Sequence, residues 1–218
     1  GMYVFAKADV VTSDSVPLKE ASIALGAPKD KNYIIQWGVD LTQFNPQIDR
    51  GRIREKYDLG DSPLILHPRP LMHIYNIDTI IRSLPEVLKG VPAAKIMFVY
   101  GFREKEVEMK KLASDLGMDD ATIFVGPVEY KEMPYYFAAA DVCLSVPSSD
   151  SSPRAVYEAM ACGVPPILSD LPWTKEFIVS EQNALLVPVK DHSALASAIL
   201  RLLSDETLRQ RVVAANLK

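Results

Sequence analysis

At 218 residues, with 48% hydrophobic and 24% charged side chains, the chain has room for one large domain, or a domain and a fragment, around a sizeable core. A net charge of −4 lacks the basic footprint of a non-specific nucleic-acid binder. No apolar run approaches the roughly 20 residues of a membrane span, and no signal peptide is visible, which predicts a cytoplasmic protein.

In chain order, Tyr3 to Ser13 reads as the tail of a helix running into a short strand at Val10-Val11. Gly1 ahead of Met2 reads as a tag remnant. Pro17 to Leu25 reads as a helix with proline in its first turn, stopped by Gly26, and Tyr33-Ile34-Ile35 as a strand closed by Gly38. Asn45 to Arg50 has the composition of a linker, so a boundary is placed there. Beyond it, short apolar runs alternate with helices. The expected strands are 64–66, 95–100, 122–125, 142–146, 165–168 and 184–187. The expected helices are 77–88, 104–116, 130–139, 153–162 and 193–203, with a helical turn at 176–179. Continuous apolar strands separated by helices predict a doubly wound parallel α/β sheet of Rossmann-like type. Such sheets bind ligands outside the carboxyl ends of their strands, here 68–76, 101–103, 126–130 and 147–154.

Cys143 and Cys162 lie in apolar runs without Cys-x-x-Cys spacing and read as buried thiols of a reducing compartment. His67, His73 and His192 lack the spacing of a zinc site, and no metal centre is expected.

The stretch from Pro147 to Gly163, PSSDSSPRAVYEAMACG, carries the most chemistry. Ser151 or Ser152 suits an N-cap and Pro153 the first helical position. The helix that follows is apolar nearly all round, which implies burial. Glu158 sits within it, and Arg154 is the one cation a turn away. A buried carboxylate costs several kcal/mol unless it is paired or hydrogen-bonded, so Glu158 needs a partner. Two destinations are open: a structural ion pair with Arg154, or hydrogen bonds from the hydroxyls of a ligand. Asp150, Ser151 and Ser152 likewise read either as plain caps or as the rim of an anion site at a helix N-terminus.

Asp150 and Glu158 are separated by seven residues, and PSSDSSPRAVYEAMACGVPPILSD resembles the Glu-(seven residues)-Glu segment of retaining glycosyltransferases with the GT-B fold, the "glycosyl transferases group 1" family. ADVVTSDSVPLKEASIALGAPKDKNYIIQWGVDLTQFNP resembles that family's crossing between its two domains. RPLMHIYNIDTIIRSLPEVL, IFVGPVEYKEMPYYFAAADVCLSVPSS, ACGVPPILSDLPWTKEFI and NALLVPVKDHSALASAI follow in the family's order. The resemblance implies that residues 1–45 are the closing segment and linker of an acceptor domain lying ahead of this chain. Residues 46–218 would be the donor-binding half of a GT-B fold, inactive in transfer without its other half. Residues 2–44 would then show an apolar surface, with Trp37 and Phe44 turned to that other half.

Further implications are residue roles. Glu158 would bind the ribose hydroxyls of a nucleotide diphosphate-sugar donor and Asp150 the hydroxyls of the transferred sugar. The N–H groups of Ser151 and Ser152, ahead of Pro153, would face sugar and diphosphate. Arg69 would neutralise the leaving diphosphate without a metal or other cofactor, and Pro127 and Val128 would lie against the base. Gly101 and Tyr75 would complete the donor site. The sequence departs from the family pattern in three places: Asp150 replaces a glutamate, Ser151-Ser152-Pro153 replaces Gly-Phe-Gly, and His73, Ile74 and Tyr75 occupy the region of an expected lysine. Arg154, Arg103 or His73 is then the candidate second cation. The expected partners are a nucleotide-sugar donor and the acceptor domain, not nucleic acid, with the whole enzyme peripheral to a membrane. A competing reading is a non-catalytic regulatory or interaction module that kept the fold. A dehydrogenase is disfavoured, because no strand is followed by Gly-x-Gly-x-x-Gly.

Overall fold

The structure, a computed structural model, describes residues 2–218. Its first part comprises α1 (Met2–Lys7), β1 (Val11–Ser13), α2 (Val16–Ala24) and β2 (Asn32–Ile34), with β1 and β2 paired in parallel. Helix α2 starts where expected because the Ser15 side chain accepts from the Leu18 N–H, and Pro17 fills the first turn.

The larger part runs through α3 (Gly51–Lys56), β3 (Leu64–His67), α4 (Ile77–Gly90), β4 (Lys95–Val99), α5 (Glu106–Asp115), β5 (Thr122–Gly126) and α6 (Met133–Ala139). It continues through β6 (Val142–Ser145), α7 (Arg154–Ala161), β7 (Pro166–Ser169), β8 (Leu185–Val187), α8 (His192–Ser204) and α9 (Glu206–Asn216). Six strands form one parallel sheet in the order β5-β4-β3-β6-β7-β8. Alternation along each strand builds two cores. Ile65, Ile96, Phe98, Val142 and Leu144 face the side of α4 and α8. Leu64, Leu66, Met97, Val99 and Cys143 face the side of α3, α6 and α7. Both faces are covered, which is why the strands read as unbroken apolar runs. The strand order reverses direction between β3 and β6, and the crevice beyond their carboxyl ends is the switch point of the fold.

Several expectations need correction. Helix α3, just after the stretch read as linker, was not expected; its Arg54 is buried and donates to the carbonyls of Ala139, Gly60 and Ser62 and to Asp141. Helix α9, capped by Asp205 on the Leu208 N–H, was not expected at all. The helical turn after β7 spans Pro172–Glu176 rather than 176–179. Pro153 is the N-cap of α7 and Arg154 its first residue, so neither Ser151 nor Ser152 caps it. Phe44, expected on the exposed face, is fully buried among Tyr130 and Phe137. Trp37, by contrast, is 60% exposed, alongside Tyr3, Val4, Tyr33, Ile35 and Leu41. Among the described residues, no helix is long and apolar enough to cross a membrane.

Candidate functional site

At the switch point, β3 is followed by Pro68-Arg69, β4 by Tyr100-Gly101, and β5, which ends in Gly126, by Pro127-Val128. These turns, together with Tyr130, Met133, Arg154, Ala155 and Glu158, line a cleft of about 350 Å³. Gly126 has φ +85°, a backbone conformation that glycine adopts without strain, and it turns the chain from β5 into the cleft wall.

Glu158 is 4% exposed and lies at the edge of this cleft. Its Oε1 accepts from the Tyr130 hydroxyl at 2.7 Å and meets Arg154 Nε at 3.1 Å. Oε2 accepts no hydrogen bond among the described residues, so the carboxylate is half-satisfied by protein and half left over. The structure therefore realises the ion pair and also leaves an acceptor beside a cavity. Burial, opposed by the Tyr130 hydrogen bond and by Arg154, raises the Glu158 pKa above the ordinary carboxyl value. The Arg154 guanidinium also lies over the Tyr130 ring, 4.9 Å from its centroid.

Arg69 is half-buried, with a side chain only 12% exposed. Its Nη2 donates to Asp150 Oδ2 at 2.8 Å and to the Tyr75 hydroxyl at 3.1 Å, and its guanidinium carbon lies 4.6 Å from the Tyr75 ring centroid. Nη1 makes no hydrogen bond among the described residues, and Nε is buried without a partner. Arg69 thus joins two sites, since it lines the Glu158 cleft and pairs with Asp150 outside it. Burial raises the Asp150 pKa against the opposing pull of Arg69 and of the Ser151 N–H, with Asp14 adding to the rise.

Asp150 and Ser151 border a second cavity of about 250 Å³, shared with α2 and with Leu171–Trp173. The Ser151 N–H, expected to face a ligand, is taken by Asp150 Oδ1 at 2.9 Å, and the Ser151 hydroxyl donates to Asp14 Oδ1 at 2.8 Å. Ser152 has φ +42°, left-handed backbone that favours glycine, so a serine holds the position where the resembled motif has its glycines. Its hydroxyl shares a 2.7 Å hydrogen bond with the Tyr157 hydroxyl. With Pro153 as N-cap, no side chain caps α7, and its first residues, Arg154 and Ala155, line the Glu158 cleft.

Arg154 is the second cation that lines the cleft, and Arg103 reaches its rim, with Nη2 3.3 Å from where a Cβ on Gly126 would stand. The Arg103 side chain is otherwise largely exposed and pairs with Glu106, whereas His73 lines a separate depression between α4 and α5. His67 ends β3 fully buried against Phe98, and burial, with Arg69 second, pushes its pKa down to about 3, so it is neutral. Two contributors escaped the sequence. Tyr130 had a legible position, at a strand's carboxyl end, but no sign of its bond to Glu158. Asp14 lies 137 residues from Ser151, and nothing at that separation signals contact. Among the described residues, no cluster of histidine, cysteine, aspartate or glutamate could hold a metal ion.

The fold is doubly wound, with a half-buried arginine, a half-buried aspartate and a buried glutamate gathered around its switch point, where sheets of this kind bind ligands. The family model described as "Glycosyl transferases group 1" matches residues 49–218, and the chain belongs to that family. It is 31% identical over 207 residues to the GDP-mannose-dependent alpha-(1-6)-phosphatidylinositol monomannoside mannosyltransferase of Mycolicibacterium smegmatis, covering 91% of this chain and 54% of that protein. The chain thus spans about half the length of the curated relatives it matches. Anabaena HepE, crystallised with UDP and glucose, superposes with a TM-score of 0.86 at 20% identity, covering 96% of this chain and 57% of that one. The C-terminal domain of the group 1 glycosyltransferase LpcC from Francisella tularensis superposes with a TM-score of 0.75 at 21% identity, covering 83% of this chain and 95% of that domain. The fold is that of one half of the GT-B enzymes.

Proposed function

We propose that residues 46–218 bind the donor in a retaining glycosyltransferase, with a nucleotide diphosphate-sugar held along the carboxyl edge of the sheet. One observation carries the reading: Glu158 is buried beside a cleft, with one carboxylate oxygen satisfied by Tyr130 and Arg154 and the other unclaimed. Ribose hydroxyls are the natural donors to that oxygen, because a hydrogen bond to a charged acceptor is worth about 1.5–3 kcal/mol. Pro127 and Val128 then flank the base, with Gly101 opposite. The N–H groups at the start of α7 and the cation Arg69 meet the diphosphate. Asp150, held by Arg69, accepts from the sugar hydroxyls. The similarity to a GDP-mannose-dependent enzyme and to HepE, crystallised with UDP and glucose, supports a nucleotide-sugar donor.

In the transfer, the bond from the anomeric carbon to the diphosphate breaks and a bond to an acceptor hydroxyl forms on the same face. The hydroxyl proton leaves with the nucleoside diphosphate. Negative charge grows on the departing phosphate oxygen, and Arg69, fixed by Asp150 and Tyr75 before the donor arrives, is preorganised to stabilise it. No metal takes part in this reading. Acceptor choice and membrane attachment belong to the rest of the enzyme.

A second reading, a module that keeps the fold without catalysis, draws on the cleft's cations, which are Arg69 and Arg154 with no lysine. Thermal melts with millimolar UDP, GDP and ADP test the binding common to both. At least one nucleotide should raise the melting temperature by linkage, and Glu158→Ala should abolish the rise. Three unmoved curves contradict the proposal. Product anomer analysis by NMR on the whole enzyme separates the two readings, since the proposal requires transfer with retention.

A further inference from the structure

Ser151 stands at the centre of a continuous run of hydrogen bonds that leaves the donor domain. Arg69 Nη2 donates to Asp150 Oδ2 at 2.8 Å, and the Ser151 N–H to Asp150 Oδ1 at 2.9 Å. The Ser151 hydroxyl donates to Asp14 Oδ1 at 2.8 Å, and Trp37 Nε1 to Asp14 Oδ2 at 3.1 Å. Asp14 belongs to the turn between β1 and α2, outside the six-stranded sheet. That turn is itself anchored, because the Val16 N–H donates to Glu176 Oε1 at 2.9 Å. Ser151 therefore has both its polar groups committed, one to Asp150 and one to a residue of the preceding segment. The loop has no competing restraint from a helix cap, since Pro153 caps α7 with no side-chain bond. The neighbouring Ser152 holds left-handed backbone that a free loop would relax away from.

We propose that Asp14 is a positioning residue for the transferred sugar: by accepting the Ser151 hydroxyl it fixes the loop of Asp150 and Ser151 where the sugar is read. The inference rests on the assignment of the sugar to Asp150 made above. Its consequence is a division of labour within the donor. The nucleotide is held from the cleft of Glu158, Pro127 and Val128, which Asp14 does not touch. The sugar is held by a loop whose shape depends on a residue from outside the sheet. Sugar affinity, and not nucleotide affinity, then depends on the segment of residues 11–37 staying docked.

The test is calorimetric titration of the 218-residue chain with UDP against UDP-glucose and with GDP against GDP-mannose. Asp14→Ala should weaken the nucleotide sugar about tenfold and leave the nucleoside diphosphate unchanged, the loss expected for one hydrogen bond to a charged acceptor. Ser151→Ala should show the same selective loss, and the double variant should be no worse than either single one. Asp14→Asn, which keeps an acceptor for the hydroxyl, should restore most of the affinity. Equal losses for nucleotide and nucleotide sugar in Asp14→Ala, or additive losses in the double variant, would overturn the proposal. So would unchanged binding of the nucleotide sugar. Wild-type chain that binds neither ligand would overturn the assignment of the site itself, which is a different result from any of these.

Discussion

Glu158 shows what a buried carboxylate costs a folded protein. Its folded-state pKa lies above the unfolded one, so the folded chain takes up a proton more readily than the unfolded chain, and its stability rises as pH falls through the raised value. Glutamine at this position keeps an acceptor for Tyr130 and removes the buried charge, while Arg154, half-exposed, stays solvated. Glu158→Gln should therefore raise the melting temperature of the ligand-free chain at pH 7, with the gap to wild type narrowing by pH 5. Melts at the two pH values check both signs. Ser152 makes the complementary case. Left-handed backbone costs a non-glycine residue about 1–2 kcal/mol, here offset by the Tyr157 hydrogen bond. Ser152→Val loses the bond and adds a β-branch at positive φ, and should cost about 2–3 kcal/mol in urea unfolding. The sequence exposed Glu158 as a charge in an apolar helix, because a buried ion has to find a partner. It did not expose Tyr130 or Asp14, because polar contacts between distant loops leave no periodic trace.

Elements differed in how plainly they could be read. The six strands of the large sheet were all legible, since burial on both faces writes them as continuous apolar runs. Helix α3 was not: GRIREK carries one large apolar residue, Ile53, and its second buried residue is charged. Arg54 anchors α3 through three carbonyls and Asp141, an arrangement that hydropathy reads as surface. Asp141 is itself largely buried and also accepts from the Leu64 N–H, so the pair ties α3 to the start of β3. Arg54→Met should cost about 2–3 kcal/mol, because it leaves three carbonyls short of their donor, while Asp141 keeps Arg50 and the Leu64 N–H. Equilibrium unfolding in urea reads that loss directly. Helix α9 escaped because ETLRQRVVAAN buries only Leu208 and Val212 against the rest of the chain.

At the scale of the whole molecule, the chain divides unequally. None of the three apolar clusters includes a fully buried residue before Phe44, and Phe44 belongs to the cluster beneath α3, α6 and α7. A chain of residues 43–218 should consequently fold by itself and keep its response to nucleoside diphosphates, as circular dichroism and thermal melts would show. The segment ahead of Phe44 meets the larger part through α2 against Leu171–Trp173, through Val39, and through the polar contacts of Asp14 with Ser151 and Val16 with Glu176, and it exposes Trp37, Tyr33 and Ile35. The resemblance read in the sequence anticipated the apolar surface and misplaced only Phe44, whose apolar character fits core and interface equally well.

Binding by Glu158 is the claim on which the functional account stands. A crystal structure of this chain with a bound nucleotide sugar measures it directly. The account predicts ribose hydroxyls within hydrogen-bonding distance of Glu158 Oε2, the diphosphate against Arg69 and the start of α7, and the base beside Pro127 and Val128. A nucleotide seated elsewhere, such as the depression between α4 and α5, with Glu158 still engaged only by Tyr130 and Arg154, would contradict it.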